Sequence, residues 1–309
     1  MDSLNTLKTR SRAVKNVGQI TKAMEVVAAT KMRRAQETAL RSRPYAYGAL
    51  ELLGRLSGVT SFISPLAEAR DIKTTLVIIV ASDKGLTGSF NTQVFRAVEK
   101  FFAGDSYASS PAHTYKIFAI GKKSRQYAEK RGLDVIEFYT GVGDFVKPEE
   151  VDPVMRVAVA GFEEKRWDRV IAVSTHFRTA LKQETLNRQI LPLSLERIRE
   201  TVSEIVPQYG RYADTKNGDM PVREIDYLFE PDPETLLASL IPHLVKMQIY
   251  HLILEANASE HSARRVAMKT ASDNADELID ELTLAYNKAR QASITKEIIE
   301  ITSTQSALS

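Results

Sequence analysis

The stretch PDPETLLASLIPHLVKMQIYHLILEANASEHSARRVAMKTASDNADELIDELTLAYNKAR, Pro231 to Arg290, decides how this chain is built. Asp232 is placed to cap free backbone N–H groups, and Pro233 fits the first helical position, where its missing donor costs nothing. From there Leu237, Leu240, Leu244, Met247, His251, Leu254, Ala258, His261, Arg265, Met268, Ser272, Ala275, Ile279, Leu282, Tyr286 and Ala289 recur at alternating spacings of three and four. That is a heptad seam. Gly218 is the last glycine and Pro242 the last proline, so helix-breaking residues are scarce in the C-terminal third of the chain. A helix from Pro233 to about Ile301 extends on the order of 100 Å at ~1.5 Å per residue, more than a compact domain of this size can bury.

At the other end Gly18 is the only interruption before Pro44, and Leu7, Val14, Val17, Ile20, Met24, Val27, Met32 and Ala35 form a second seam. Two such helices leave their apolar stripes in water unless they pair, and the economical arrangement is an antiparallel coiled coil. Around Ala256 to Ala275 the seam thins to Ala, Ser and Thr, matched by Ala23, Ala28, Ala29 and Ala35. Small side chains predict a close approach and a thin rod. The two helices differ in charge: ten cations against three acids between Met1 and Arg43 give +7, whereas eleven acids against seven bases from Pro231 onward give −4. Solvated faces and interhelical ion pairs absorb part of this, and the excess points to an acidic external partner.

The middle of the chain reads as a Rossmann-like α/β domain. Strands are predicted at Thr74–Ala81, Tyr115–Ile120, Val135–Tyr139 and Val170–Ser174, alternating with helices at Gln93–Phe102, Lys123–Arg131 and Pro153–Trp167. This βαβ order implies a largely parallel sheet. The whole is a mixed α+β and α/β chain: residues 1–57 an N-terminal helix, 72–200 the α/β domain, 201–230 loop and linker, 231–309 the long C-terminal helix. Segments Asp105–Ala112 and Gln208–Pro221 read as surface loops.

The chemistry expected of such a domain is withheld. A phosphate could sit in the turn Ser82–Asn91, but G-x-x-x-x-G-K-[ST] is absent, Gly121-Lys122 lacks the earlier glycine, and Gly141-Val142-Gly143 is not completed. Gly85 and Gly88 therefore read as a tight structural turn. The five histidines, His113, His176, His243, His251 and His261, form no metal spacing, and no G-x-S-x-G elbow exists. No cofactor, metal or catalytic residue is expected. A net charge of +3 with 26% charged and 43% hydrophobic residues fits a folded globular protein and does not single out nucleic acid. The absence of cysteine excludes disulfides and thiolate sites. Neither a secretory signal nor an apolar run of the roughly 20 residues that cross a bilayer is read from the sequence.

Ile20 to Gln36, ITKAMEVVAATKMRRAQ, closely resembles the N-terminal helix of the γ subunit of F-type ATP synthases. Ala258 to Met268 and Leu284 to Thr295 resemble its C-terminal signature, and Ser82–Asn91 and Tyr227–Pro233 are also similar, so the resemblance runs the length of the chain. It implies a central rotor shaft: a coiled coil entering a hexamer of α and β subunits, and an α/β foot on the ring of c subunits beside ε. Proton flow turns the ring, and the asymmetric shaft drives three β sites through different nucleotide affinities. By the same resemblance Met24, Lys31, Arg33 and Arg34 face acidic segments of β, while Arg264, Arg290, Gln291 and Thr295 meet loops of α and β. No cofactor, nucleic acid or small-molecule substrate is implied, and the location is peripheral, on the cytoplasmic face of a bacterial inner membrane. Thr87 stands where many relatives carry cysteine, and the paired cysteines of the chloroplast redox insert are absent. A seam position for Met24 and a solvated helix face for Arg290 and Gln291 are the plain alternatives.

Two other classes remain open to the residues alone. One is a nucleotide-dependent α/β enzyme that dimerises through its helical hairpin, which a bound nucleotide would reveal. The other is a basic nucleic-acid-binding helix, against which stand its scarce aromatics and its heptad seam.

Overall fold

The computed structural model describes residues 3–59, 64–108, 110, 112–141, 146–194 and 228–308. The expected loop at Gln208–Pro221, most of the linker at 201–230, and Val142 and Gly143 lie outside the described residues. Among the described residues five strands and five α-helices succeed one another in chain order: α1 (Leu4–Val59), β1 (Thr74–Val80), α2 (Phe90–Gly104), β2 (Thr114–Ile120), α3 (Lys122–Lys130), β3 (Val135–Tyr139), α4 (Asp152–Glu163), β4 (Arg169–Phe177), β5 (Gln183–Leu191) and α5 (Pro233–Leu308). The described chain divides into two units, one joining residues up to Ala28 with those from Arg264 onward, the other holding Ala29–Ala263.

In the larger unit the sheet order is β3-β2-β1-β4-β5. The first four strands pair in parallel, and β5 runs antiparallel to β4. β1 reads TTLVIIV and is buried from Thr75 onward, as a central strand covered on both faces must be. Alternation sends Leu76, Ile78 and Val80 to one face, where Phe118, Phe162, Leu53, Leu56 and the start of α5 complete the main core. Val77 and Ile79 face the other side with Val94, Val98 and Ala128 of α2 and α3. At the top of β2 a Cβ on Gly121 would stand 2.0 Å from the Ala81 carbonyl oxygen, and φ there is +92°, so only glycine lets β2 turn into α3.

The four predicted strands and three intervening helices are present with ends shifted by a few residues. β5 is an addition to the sequence expectation. Its sequence, QETLNRQIL, carries few β-branched residues and little alternation, because an edge strand pairs along one side and buries little beyond Ile190 and Leu191.

α5 begins at Pro233 as expected, with Asp232 Oδ1 accepting from the Thr235 N–H at 2.8 Å. Residues 248–256 are buried all round, so this stretch is a core helix and not one flank of a simple seam. An 18-residue window of α5 reaches mean hydropathy 1.3, enough by composition to cross a bilayer, and 56% of it is buried within the protein.

In the smaller unit α1 and α5 run antiparallel. Gly18 meets Ala275, Lys22 feels Asp273 and Asp276, and Glu25 feels Lys269 and Arg265, so the numbers on α5 fall as those on α1 rise. On α5 Met268, Ser272, Ala275 and Leu282 are buried, on the expected heptad. On α1 the expected phase needs correction. Leu7 is buried, as are Met32 and Ala35 farther along the helix, but Val17, Ile20 and Val27 are 53%, 60% and 52% exposed, and Ala23 is exposed too. Gly18, Thr21 and Ala28 hold the inner positions instead. Within this unit 7, 11, 14, 18, 21, 25 and 28 form a three-four repeat, and in its middle the small residues Gly18, Thr21 and Ala28 face inward in place of Val17, Ile20 and Val27. At Gly18 the reason is steric: a Cβ there would already stand 3.2 Å from that of Ala275, which leaves no room for a valine or isoleucine.

Candidate partner interface

Because glycine, alanine, serine and threonine fill the middle of the coiled-coil seam, several apolar side chains of α1 stand outside it. Val17, Ile20, Val26 and Val27 lie on the outside of α1, and Ile294, Ile298, Ile299 and Ile301 on the outside of the last turns of α5, each between 48% and 66% exposed. Exposed isoleucines and valines grouped in this way mark surfaces meant to be covered. Beside them runs a band of polar groups. Lys22 Nζ pairs with Glu25 at 2.9 Å, and that contact raises the lysine and lowers the carboxyl. A shallow groove between the helices is lined by Lys15, Gly18, Lys22, Asp273 and Asp276.

The residues singled out by resemblance fall into separate groups. Met24 is half-buried beside the α1 seam. Farther along α1, Lys31 is half-buried while Arg33 and Arg34 point outward, and Arg33 Nε pairs with Glu37 at 3.0 Å along the helix. Arg264 is half-buried. Arg290, Gln291 and Thr295 are exposed within two turns of α5, where the Thr295 hydroxyl donates to the Gln291 carbonyl at 2.9 Å. Sequence reasoning misses Val17, Ile20 and Val27 as outward residues, because it assigns them to the seam. The signal that finds them is the three-four phase through Leu7, Gly18, Thr21 and Ala28.

The turn after β1 shows what the α/β domain does with its anion-binding positions. Ser82 N–H donates to Asn91 Oδ1 at 3.1 Å, and Asn91 Nδ2 donates to Ser82 Oγ at 2.8 Å and to Thr87 Oγ1 at 3.1 Å. The Asp83 carboxylate accepts from Lys122 N–H at 2.9 Å and from Gly141 N–H at 2.8 Å. A carboxylate from the turn after β1 thus caps the N-terminus of α3, and the turn itself is closed by its own Asn91 side chain. Gly88 takes a left-handed conformation as a tight turn requires, and Leu86, rather than Gly85, takes the other.

Comparison with known proteins gives the same reading over the whole length. The chain matches the ATP synthase family over residues 3–308. It is 37% identical over 310 residues to the ATP synthase gamma chain of Salinibacter ruber, covering 100% of this chain and 99% of that one. The chain belongs to the family of γ subunits of F-type ATP synthases. The γ chain of Opitutus terrae is 39% identical over 308 residues, with 99% of each covered. Among solved structures, a chain of the Euglena gracilis mitochondrial ATP synthase (OSCP, F1 and c-ring, rotational state 3) shares the fold with a TM-score of 0.65 at 18% identity, covering 99% of this γ chain and 94% of its own. A chain from the central stalk and c-ring of the Tetrahymena thermophila enzyme gives 0.58 at 22% identity over 82% of this γ chain and 99% of its own.

Proposed function

We propose that this chain is the rotating central shaft of a proton-translocating F-type ATP synthase. Its α/β domain stands on the ring of c subunits beside ε, and its coiled coil reaches into the hexamer of α and β subunits. The shaft carries motion and makes no bonds. Rotation biases each β site because the two sides of the coiled coil present different contacts, and only contacts that differ between conformations shift their populations. The observation that carries this reading is the outward apolar and cationic surface of a coiled coil whose seam is filled at its middle by small residues, which leaves its binding groups for partners.

Met24, Lys31, Arg33 and Arg34 face acidic segments of β, and Arg264, Arg290, Gln291 and Thr295 meet loops of α and β. Exposed ion pairs worth about 0 to 1 kcal/mol each hold a rotating part at a station without trapping it there. The reading as a nucleotide-dependent enzyme is not favoured, since the full-length relatives are γ chains and the turn after β1 uses its polar side chains on itself, Asn91 on Ser82 and Thr87 and Asp83 on the start of α3. The bacterial relatives support a place on the cytoplasmic face of a bacterial inner membrane, held there through the ring. A tagged chain recovered from membranes washed at moderate salt is expected to bring α, β, ε and c subunits with it in an ATP-hydrolysing complex. Recovery without α and β would refute the assignment.

A further inference from the structure

Where α5 crosses the end of the sheet, its contacts change character. Toward its N-terminus, Leu237, Ile241, Leu244 and Ile249 pack in the main core. Farther along, Gln248, His251, Glu255, Ser259 and Ser262 form a polar stripe at helical spacing, each no more than 6% exposed. Glu255 is its centre. Its Oε2 accepts from Arg188 Nη1 of β5 at 2.9 Å and from His176 Nδ1 of β4 at 2.9 Å, and Arg188 Nη2 lies 3.3 Å from the same ring nitrogen. Beyond it, Ser259 Oγ donates to the Thr175 carbonyl at 3.5 Å and Ser262 Oγ to the Ala180 carbonyl at 2.5 Å.

Such a network is expensive as a source of stability. Burying an ion triad costs desolvation that its attraction only partly returns, and apolar replacements are often neutral or stabilising. Its gain is direction. Apolar contact is non-directional, and a stripe of Leu and Ile spaced by three and four nearly superposes on itself after one turn, so the apolar residues of α5 fix its depth but weakly fix its axial position. The directional contacts are the partly exposed pair Lys246–Asp152, the single bond from Tyr250 Oη to the Val146 carbonyl at 3.2 Å, and the buried cluster on Glu255. One guanidinium N–H and one imidazole N–H converging on one carboxylate oxygen, with the second arm of the guanidinium against the same imidazole, accept a single position.

We propose that Glu255, gripped by Arg188 and His176, is the positioning residue that sets the register of α5 on the sheet, so that torque entering the α/β domain turns the helix without slippage. The torque part rests on the rotor reading proposed for this chain. The register part does not.

The test uses the full chain, whose lack of cysteine makes introduced labels unique. Nitroxides at Asn187→Cys and Ser239→Cys, both exposed, report the distance between β5 and α5 by pulsed electron resonance. The parent chain should give one narrow distance. The apolar triple variant His176→Leu, Arg188→Met, Glu255→Leu should fold with an unchanged melting temperature and show a second population displaced by about 5.4 Å, one helical turn. Arg188→Lys, which keeps the charge but loses the fork, should broaden the distribution. A single unchanged distance in both variants overturns the proposal. Within the assembled complex, slippage predicts a loss of ATP-driven proton pumping while ATP hydrolysis persists; normal pumping by a chain with two registers overturns the torque part. A parent chain that assembles no pumping complex overturns the rotor reading, and the torque part with it, while the distances still decide the register.

Discussion

Gly18 of α1 and Ala275 of α5 face each other so closely that a Cβ built on the glycine would lie 3.2 Å from that of the alanine. The approach leaves room for small residues alone at this point of the seam. Gly18→Ala gains helix propensity of roughly 0.5–1 kcal/mol and loses a similar amount to crowding, so stability should change by less than about 1 kcal/mol. Gly18→Leu has nowhere to go and should cost about 1–3 kcal/mol by overpacking. Thermal unfolding of the purified chain checks both, and Ala275→Gly should recover part of the loss in the leucine variant.

The two faces of α5 are equally separable. Leu282 is 6% exposed on the seam, whereas Glu277 lies on the open side. Leu282→Asp puts a charge against α1 and should cut the yield of assembled complex sharply, while Glu277→Ala should assemble normally. Equal yields would mean that the helix faces are assigned the wrong way round.

Acid should weaken the larger unit in two stages. Burial lowers the His251 imidazole below its ordinary 6.5, so the unfolded chain takes up that proton first and stability declines as pH falls from 6.5. Burial alone would raise the Glu255 carboxyl, but the His176 hydrogen bond and the Arg188 charge outweigh it and hold it at about 2, below its ordinary 4.5. Its contribution is complete above 4.5 and is lost as pH falls toward 2. Denaturant titrations between about pH 7 and pH 3 should show His251→Leu flattening the upper stage. Glu255→Gln should start less stable near neutral pH, because Arg188 loses its buried counter-charge, and should draw closer to the parent chain below the ordinary carboxyl value of 4.5.

How far the fold is legible depends on what each element buries. β1 and the start of α5 are plain because they are covered on both faces or capped by Asp232-Pro233, features written into neighbouring residues. β5 is not, since an edge strand such as Gln183–Leu191 is selected by its pairing with β4 and not by its own composition. The phase of α1 misleads for a related reason: hydrophobicity ranks Val17 and Ile20 above Gly18 and Thr21, but the distance to α5 ranks them the other way. The polar stripe around Glu255 cannot be read at all, because its partners Arg188 and His176 are 67 and 79 residues away in the chain and one lies on the edge strand that composition conceals.

The cationic groups of the two helices should differ in consequence. Arg33 pairs along its own helix in solvent, so Arg33→Ala with Arg34→Ala should leave the complex assembled and alter turnover or coupling, more so at low salt. Arg290 and Gln291 sit beside the exposed isoleucines of the last turns, where a covering partner would exclude water. Arg290→Ala with Gln291→Ala should therefore impair assembly or coupling more severely. Subunit stoichiometry, ATP hydrolysis and ATP-driven proton pumping of both double variants decide the order.

The central claim is that this chain turns. With the α and β subunits anchored to a surface and a probe attached to an introduced cysteine on its α/β domain, ATP should drive rotation of the probe in one direction, with three dwell positions per turn. A probe that stays fixed, or that wanders equally in both directions whether or not ATP is present, would contradict the account.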